Sequence, residues 1–256
     1  MAYPVPGTRE ALGATRRREA WWAVPAAMAA TFLVFVVYAS WAAFQPIANA
    51  YFPNQLHPTY ISPFYSPDLT RFIPGFTWSP SLLILWLPAG FRLTCYYGRK
   101  AYYRSVMLQP AACAVGKGDR NYKGETAFPW VLNNLHRFFL YLITIMVVFH
   151  WIHLFEAFHF QDGWGLGLGS IVVTADTVFL SLYVFGCHSL RHLVGGRIDC
   201  YSCASAGLAQ HKAWQGVSIL NERHNLFFWL SLISVGFADV YVRMCSTGVW
   251  SDWRIF

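Results

Sequence analysis

The chain has 256 residues, of which 56% are hydrophobic and only 12% charged, with a mean hydropathy of +0.35. That composition excludes an ordinary soluble domain and points to an all-α integral membrane protein, because the apolar runs are continuous and do not alternate as barrel strands do. The net charge of +7 sits in connections and termini, where it serves topology and lipid contact, so no nucleic-acid partner is implied.

Residues 1–20 read as a cytoplasmic arm: they carry Arg16, Arg17 and Arg18 but no apolar core of a cleavable signal. Residues 21–256 form the membrane domain. A bilayer core of about 30 Å needs roughly 20 apolar residues in a helix, and five segments qualify, at residues 23–44, 81–103, 131–158, 166–193 and 225–245. Pro88 and Arg92 interrupt the second. Between the first two segments, clusters such as Pro58-Thr59-Tyr60 and Pro63-Phe64-Tyr65-Ser66-Pro67 predict extended and turn structure lying on the membrane face. Lys and Arg gather before the first segment, between the second and third (Arg99 to Lys123) and between the fourth and fifth (Arg191 to Arg223), while the other two connections hold only Arg71. The bias of basic residues toward the cytoplasm therefore predicts five transmembrane helices with the amino terminus inside and the carboxyl terminus outside.

The densest chemistry lies between Cys187 and Cys203, which holds three of the six cysteines and two of the nine histidines. His188 and His192 stand at i,i+4, a spacing from which two imidazoles on one helical face reach one metal, and Cys200-x-x-Cys203 is a bite suited to two thiolates. His188, His192, Cys200 and Cys203 together fit a structural zinc or a Rieske-type [2Fe–2S] cluster. Cys187, His136 and His211 share the same side of the membrane as spare ligands. A single haem b through His136 and either His188 or His192 is the other redox possibility, and a zinc staple in a non-redox protein the third.

The run Cys187-His188-Ser189-Leu190-Arg191-His192-Leu193-Val194-Gly195-Gly196, then Asp199-Cys200, Leu220-Asn221-Glu222-Arg223-His224 and Ala238-Asp239-Val240-Tyr241-Val242-Arg243, resembles the membrane-anchor subunit of actinobacterial succinate dehydrogenases. The resemblance is to the heme-free mycobacterial type, with a Rieske-type cluster in the membrane domain. It implies a multi-pass subunit of the bacterial inner (plasma) membrane that works with a flavoprotein subunit, an iron–sulfur subunit and, in some members, a small additional anchor subunit, passing electrons from succinate to menaquinone. The five-helix anchors that hold two haems use histidines of the first, second, fourth and fifth spans, and here the first, second and fifth apolar segments contain none. Nucleophile-elbow, phosphate-loop and dinucleotide signatures are missing from the chain, so succinate oxidation itself belongs to another subunit.

A quinone pocket is expected near the centre, with Trp21, Trp22, Arg92, Tyr96, Tyr97 and Trp214 as candidates for its wall. Arg92 stands out, since an arginine about two turns inside a span needs a partner or a cavity. On the opposite half, His150, His153, Glu156, Asp176, Asp239 and Arg243 form a second polar group; His150 lies about 21 Å along the helix from His136. Asp239 and Arg243 are placed to pair at i,i+4. This group is expected to form a structural ion pair, a proton path or an outer quinone site.

Overall fold

The computed structural model of the chain describes residues 19–20, 22–53, 59–73, 78–102 and 126–256. The Arg16–Arg18 cluster, Trp21 and the basic stretch from 104 to 123 lie outside the described residues. Among the described residues four helices are long and apolar enough to cross a membrane: α1 (Ala23–Ala43), α6 (His136–Glu156, prolonged backwards by a 3₁₀ turn from Trp130), α7 (Leu168–Phe185) and α10 (His224–Ser246).

The second predicted segment is not one helix. It folds as α3 (Pro80–Ile84), α4 (Trp86–Thr94) and α5 (Tyr96–Tyr102). Pro88 explains the first break: it has no N–H for the Ile84 carbonyl and its ring crowds that oxygen, so the helix ends at Ile84 and restarts. The second break is at Cys95, whose backbone is extended. There α5 turns back so tightly that a Cβ at Gly98 would overlap the Arg92 carbonyl, a closeness only glycine allows.

The fourth predicted segment likewise stops short, at Phe185. Cys187 then caps the short helix α8 (His188–Arg191), accepting from the Ser189 amide at 3.3 Å, and a π-type turn follows over His192–Gly196. Helix α9 (Gly207–Glu222) runs back to α10 through Arg223.

The main core lies where α4, α6, α7 and α10 meet, around Phe91, Leu140, Ile143, Leu180, Tyr183 and Phe228. Helix α1 is peripheral, with only Ala42 and Ala43 buried. At the other end of the bundle from α9, the connection after α1 folds into a two-residue antiparallel ribbon, β1 (Tyr51–Phe52) with β2 (Tyr60–Ile61), and a short helix α2 (Leu69–Phe72). A second small ribbon, β3 (His159–Phe160) with β4 (Gly163–Trp164), joins α6 to α7.

Side-chain polar bonds fasten this ribbon end. Asp68 caps α2 through the Thr70 amide (3.1 Å) and also accepts from the Tyr51 hydroxyl (2.9 Å), while Arg71 spans from Asp68 (3.1 Å) to Glu156 on α6 (2.6 Å). Asp252 in the carboxyl-terminal tail accepts from Tyr60 (2.7 Å), Tyr241 (2.7 Å) and the Gly169 amide (2.9 Å), tying tail, loop, α7 and α10 together. Burial, and then the neighbouring Asp252, push the Tyr60 phenol above its ordinary range, so it remains a donor.

The expected Asp239–Arg243 pair is present at 2.8 Å, with both side chains almost wholly buried. Tyr38 of α1 donates to Asp239 at 2.5 Å, Ser62 of the loop donates to its other oxygen, and Arg243 donates to the Ala42 carbonyl at 3.2 Å. The pair thus sits at the junction of α1, the loop and α10. Removing Arg243 alone, as in Arg243→Met, leaves a buried carboxylate and is expected to cost about 3–5 kcal/mol. The double substitution Asp239→Asn with Arg243→Met should recover much of that loss. Thermal unfolding of the purified assembly measures both, and equal losses in the single and double variants would refute this role.

Candidate functional site

Four donors converge at the α9 end, and each stands at a helix break or a helix start. Cys95 occupies the extended residue between α4 and α5, His136 opens α6, Cys187 follows α7, and His224 opens α10. A continuous helix spreads its side chains around the axis; a break lets one residue turn inward independently of its neighbours.

His136 Nε2 lies 3.1 Å from Cys187 Sγ, and Cys95 Sγ lies 3.6 Å from His224 Nε2. Cys95, Cys187 and His224 are buried. The His136 ring is stacked on Phe91 with centroids 4.5 Å apart, and its Nδ1 meets Thr94 Oγ1 at 3.0 Å. The His224 ring is stacked on Tyr183 at 5.0 Å, and Tyr183 meets Phe91 at 5.3 Å. His224 Nδ1 has no hydrogen-bond partner. Among the described residues no three His, Cys, Asp or Glu side chains are close enough to hold a single metal ion; what assembles is two thiol–imidazole pairs sharing a wall of aromatic rings.

This is not the grouping expected from the spacing. Cys200 and Cys203 form a disulfide, so neither offers a free thiolate. The π-type turn beginning at His192 interrupts the face that His188 and His192 would share. His192 is exposed and meets Arg137 Nη2 at 2.8 Å, while His188 lies at the rim, its ring 6.2 Å from both Tyr97 and His224. His211 packs against Tyr201 with ring centroids 4.7 Å apart, away from the buried pairs. Of the spare candidates, His136 and Cys187 do enter the centre. Cys95 and His224 are not among the candidates that spacing picks out, because neither has a partner at metal-ligand spacing in its own segment.

Arg92, among the residues expected around a quinone, alone lines an apolar cavity of about 340 Å³ between α1, α3, α4, α6 and α7, with Phe35, Leu85, Ile143, Met146 and His150 among the other walls. Its guanidinium donates to the Phe228 carbonyl (2.9 Å) and Ser231 Oγ (3.0 Å), and lies 4.7 Å over the Tyr183 ring. It therefore connects the cavity to the ring stacked on His224. Trp22 and Tyr96 are exposed, and Trp214 lies on α9 beneath Arg191, 4.6 Å from that guanidinium. Trp21 is outside the described residues.

The second polar group divides. His150 lines the cavity, its Nδ1 2.9 Å from the Met146 carbonyl. One turn further along α6, His153 is buried with an unpartnered Nδ1, and Glu156 meets Arg71 at the ribbon end. Asp176 is buried on α7 and accepts from Ser234 of α10 at 3.3 Å. Asp239 and Arg243 belong to the separate knot described above.

Comparison with known proteins agrees with the architecture. Residues 23–248 match the family described as actinobacterial succinate dehydrogenase subunit SdhC. A chain of the Mycobacterium smegmatis Sdh1 complex in the apo form superposes with a TM-score of 0.83 at 34% identity, covering 94% of each chain. No match was found among curated proteins. The chain belongs to the actinobacterial SdhC family, the membrane-anchor subunit of succinate dehydrogenase.

Proposed function

We propose that this anchor passes electrons from the iron–sulfur subunit of its enzyme, itself supplied by the flavoprotein subunit, through a Rieske-type [2Fe–2S] cluster to menaquinone in the Arg92 cavity. The observation that carries this reading is the convergence of two buried thiols and two imidazoles, with His136 Nε2 3.1 Å from Cys187 Sγ and Cys95 Sγ 3.6 Å from His224 Nε2. Two Cys and two His are the donor inventory such a cluster requires. Cys95, His136, Cys187 and His224 would hold it, and when bound it supplies a one-electron carrier. A haem b would use two imidazoles and leave both buried thiols without a role.

The protein's part is positioning. Thr94 at Nδ1 orients the His136 ring so that Nε2 faces the thiol. Phe91, Tyr183 and Phe228 keep water from the donors and set the low polarity on which a cluster's potential depends. Arg92, held by Phe228 and Ser231, presents a fixed positive charge on the cavity wall where a quinone carbonyl oxygen gains negative character on reduction.

Reduction of a quinone to quinol also takes up two protons. His150, His153 and Glu156 stand at i, i+3 and i+6 along α6, on a line from the cavity to the ribbon end. We read them as the proton route, with Asp239 and Arg243 left to structure. The broken segment 81–102 supplies the fifth crossing, and the distribution of Lys and Arg supports an inward amino terminus and a cytoplasmic α9 end, where the partner subunits dock.

Cys95→Ser and Cys187→Ser should each abolish the low-temperature paramagnetic signal of the anchor's cluster and lower iron and acid-labile sulfide, while succinate oxidation by a soluble dye persists. Full signal in both variants would reject this ligand set, and zinc in place of iron would reject the redox reading. Arg92→Met should keep the cluster signal yet reduce quinone-linked turnover by about 10–100-fold, the equivalent of losing one charged hydrogen bond. His153→Leu should assemble, retain dye reduction and slow the quinone-linked rate; an unchanged rate would remove His153 from the proton route.

A further inference from the structure

The Cys200–Cys203 pair, displaced from the buried centre, has its own structural setting. Its disulfide closes a tight loop between the π-type turn and α9. Cys203 is exposed and Cys200 half-buried. Tyr201, between the two sulfurs in sequence, donates to the Gly195 carbonyl at 2.9 Å and packs its ring against His211 of α9. The loop presses so closely on α9 that a Cβ at Gly207 would overlap the Tyr201 carbonyl.

Helix α9 reaches from this loop to the centre. Along it, Ser218 accepts from Arg191 Nε at 2.7 Å and Trp214 lies under the same guanidinium. At its far end Asn221 donates to the Gly186 carbonyl at 2.7 Å, the residue immediately before Cys187, and two residues beyond Glu222 stands His224. The 16 residues of α9, about 24 Å long, therefore join the disulfide to the backbone around two of the four buried donors.

We propose that Cys200–Cys203 is a reversible thiol–disulfide site that a cytoplasmic dithiol reductant opens, altering the hold of α9 on the Cys187–His224 junction and with it electron delivery to quinone. A disulfide exposed to the cytoplasm meets a thiol-reducing environment, in which lasting structural disulfides are rare and exchangeable ones carry redox information. In the exchange, one thiolate of the reductant attacks one sulfur, breaking the Cys200–Cys203 bond and forming a mixed disulfide. The reductant's second thiolate then displaces the bound cysteine. Two electrons and two protons pass to Cys200 and Cys203, and the reductant leaves as its own disulfide. The effect on turnover rests on the cluster reading above, and the compartment on the proposed orientation.

The test uses the intact complex in inside-out membrane vesicles, a membrane-impermeant maleimide and peptide mass spectrometry. As prepared without reductant, Cys200 and Cys203 should be unlabelled; after dithiothreitol both should label; glutathione disulfide should restore protection. Quinone-linked turnover should differ by roughly 2-fold or more between the two forms, reverse on reoxidation, and be insensitive to dithiothreitol in the Cys200→Ser, Cys203→Ser double variant. Labelling before reduction, no labelling after it in vesicles of either orientation, or turnover indifferent to the labelled state would each overturn the switch. Loss of the cluster signal in the double variant would also overturn it, by returning these cysteines to the ligand set. Labelling only in right-side-out vesicles would overturn the orientation instead, a failure distinguishable from that of the switch. Loss of signal in the Cys187→Ser variant tests the cluster reading separately.

Discussion

An arginine inside an apolar bundle must find its partners within the protein, and the bond between Arg92 and α10 is the constraint around which the rest is arranged. Its two donations, to the Phe228 carbonyl and Ser231, fasten the fragment α4 to a full-length helix. Hydrogen bonds from a charged group contribute about 1.5–3 kcal/mol each, and more is lost if the charge is left buried without them. The same bonds fix the guanidinium over Tyr183. That anchorage adds to the packing of α4 against α6, around the buried Phe91 and Cys95, in holding at one depth a nine-residue helix broken at both ends.

The breaks flanking α4 carry a cost in unsatisfied backbone, which a bilayer tolerates only where protein covers it. At the second break Cys95 N donates to the Arg92 carbonyl at 3.3 Å, and the Thr94 hydroxyl donates to the Gly90 carbonyl at 2.7 Å. What the breaks provide is convergence. Two thiol–imidazole pairs form from four elements because none of their residues sits in the middle of a regular helix. At the ribbon end the arrangement is the reverse, with whole helices tied by side chains, Asp239 and Arg243 binding α1 and the loop to α10 and Asp252 gathering three further elements.

The legibility of these features in the sequence follows from their physical range. Long apolar runs report the environment of every residue in them, so α1, α6, α7 and α10 were recoverable from hydropathy, and the i,i+4 pairing of Asp239 with Arg243 from one helical period. Pro88 marked its own break. Cys95 did not, because a cysteine has no backbone preference that announces an extended residue, and the turn there depends on Gly98 meeting Arg92, a contact within the folded chain. His188 and His192 misled for the complementary reason: their spacing is diagnostic only if the helix continues, and the π-type turn begins at His192 itself. Nor could spacing reveal that Cys200 and Cys203 would bond to each other.

The two ends of the bundle therefore carry different chemistry, joined through one cavity. On the α9 side, aromatic contact runs from His224 through Tyr183 to the guanidinium of Arg92, so the donors and the cavity wall share a compact array of rings. On the ribbon side, the same cavity touches His150, beyond which His153 and Glu156 continue along α6. On the proposed reading, electrons and protons bound for a quinone would enter the cavity from opposite ends, with apolar walls between Arg92 and His150. Such a separation puts demands on Arg92: as a charge that stays protonated it can stabilise developing negative charge without itself supplying the proton. A histidine at that position could do both and would blur the division, whereas on the proposed reading Arg92 at one wall and His150 at another would divide charge stabilisation and proton delivery between different side chains.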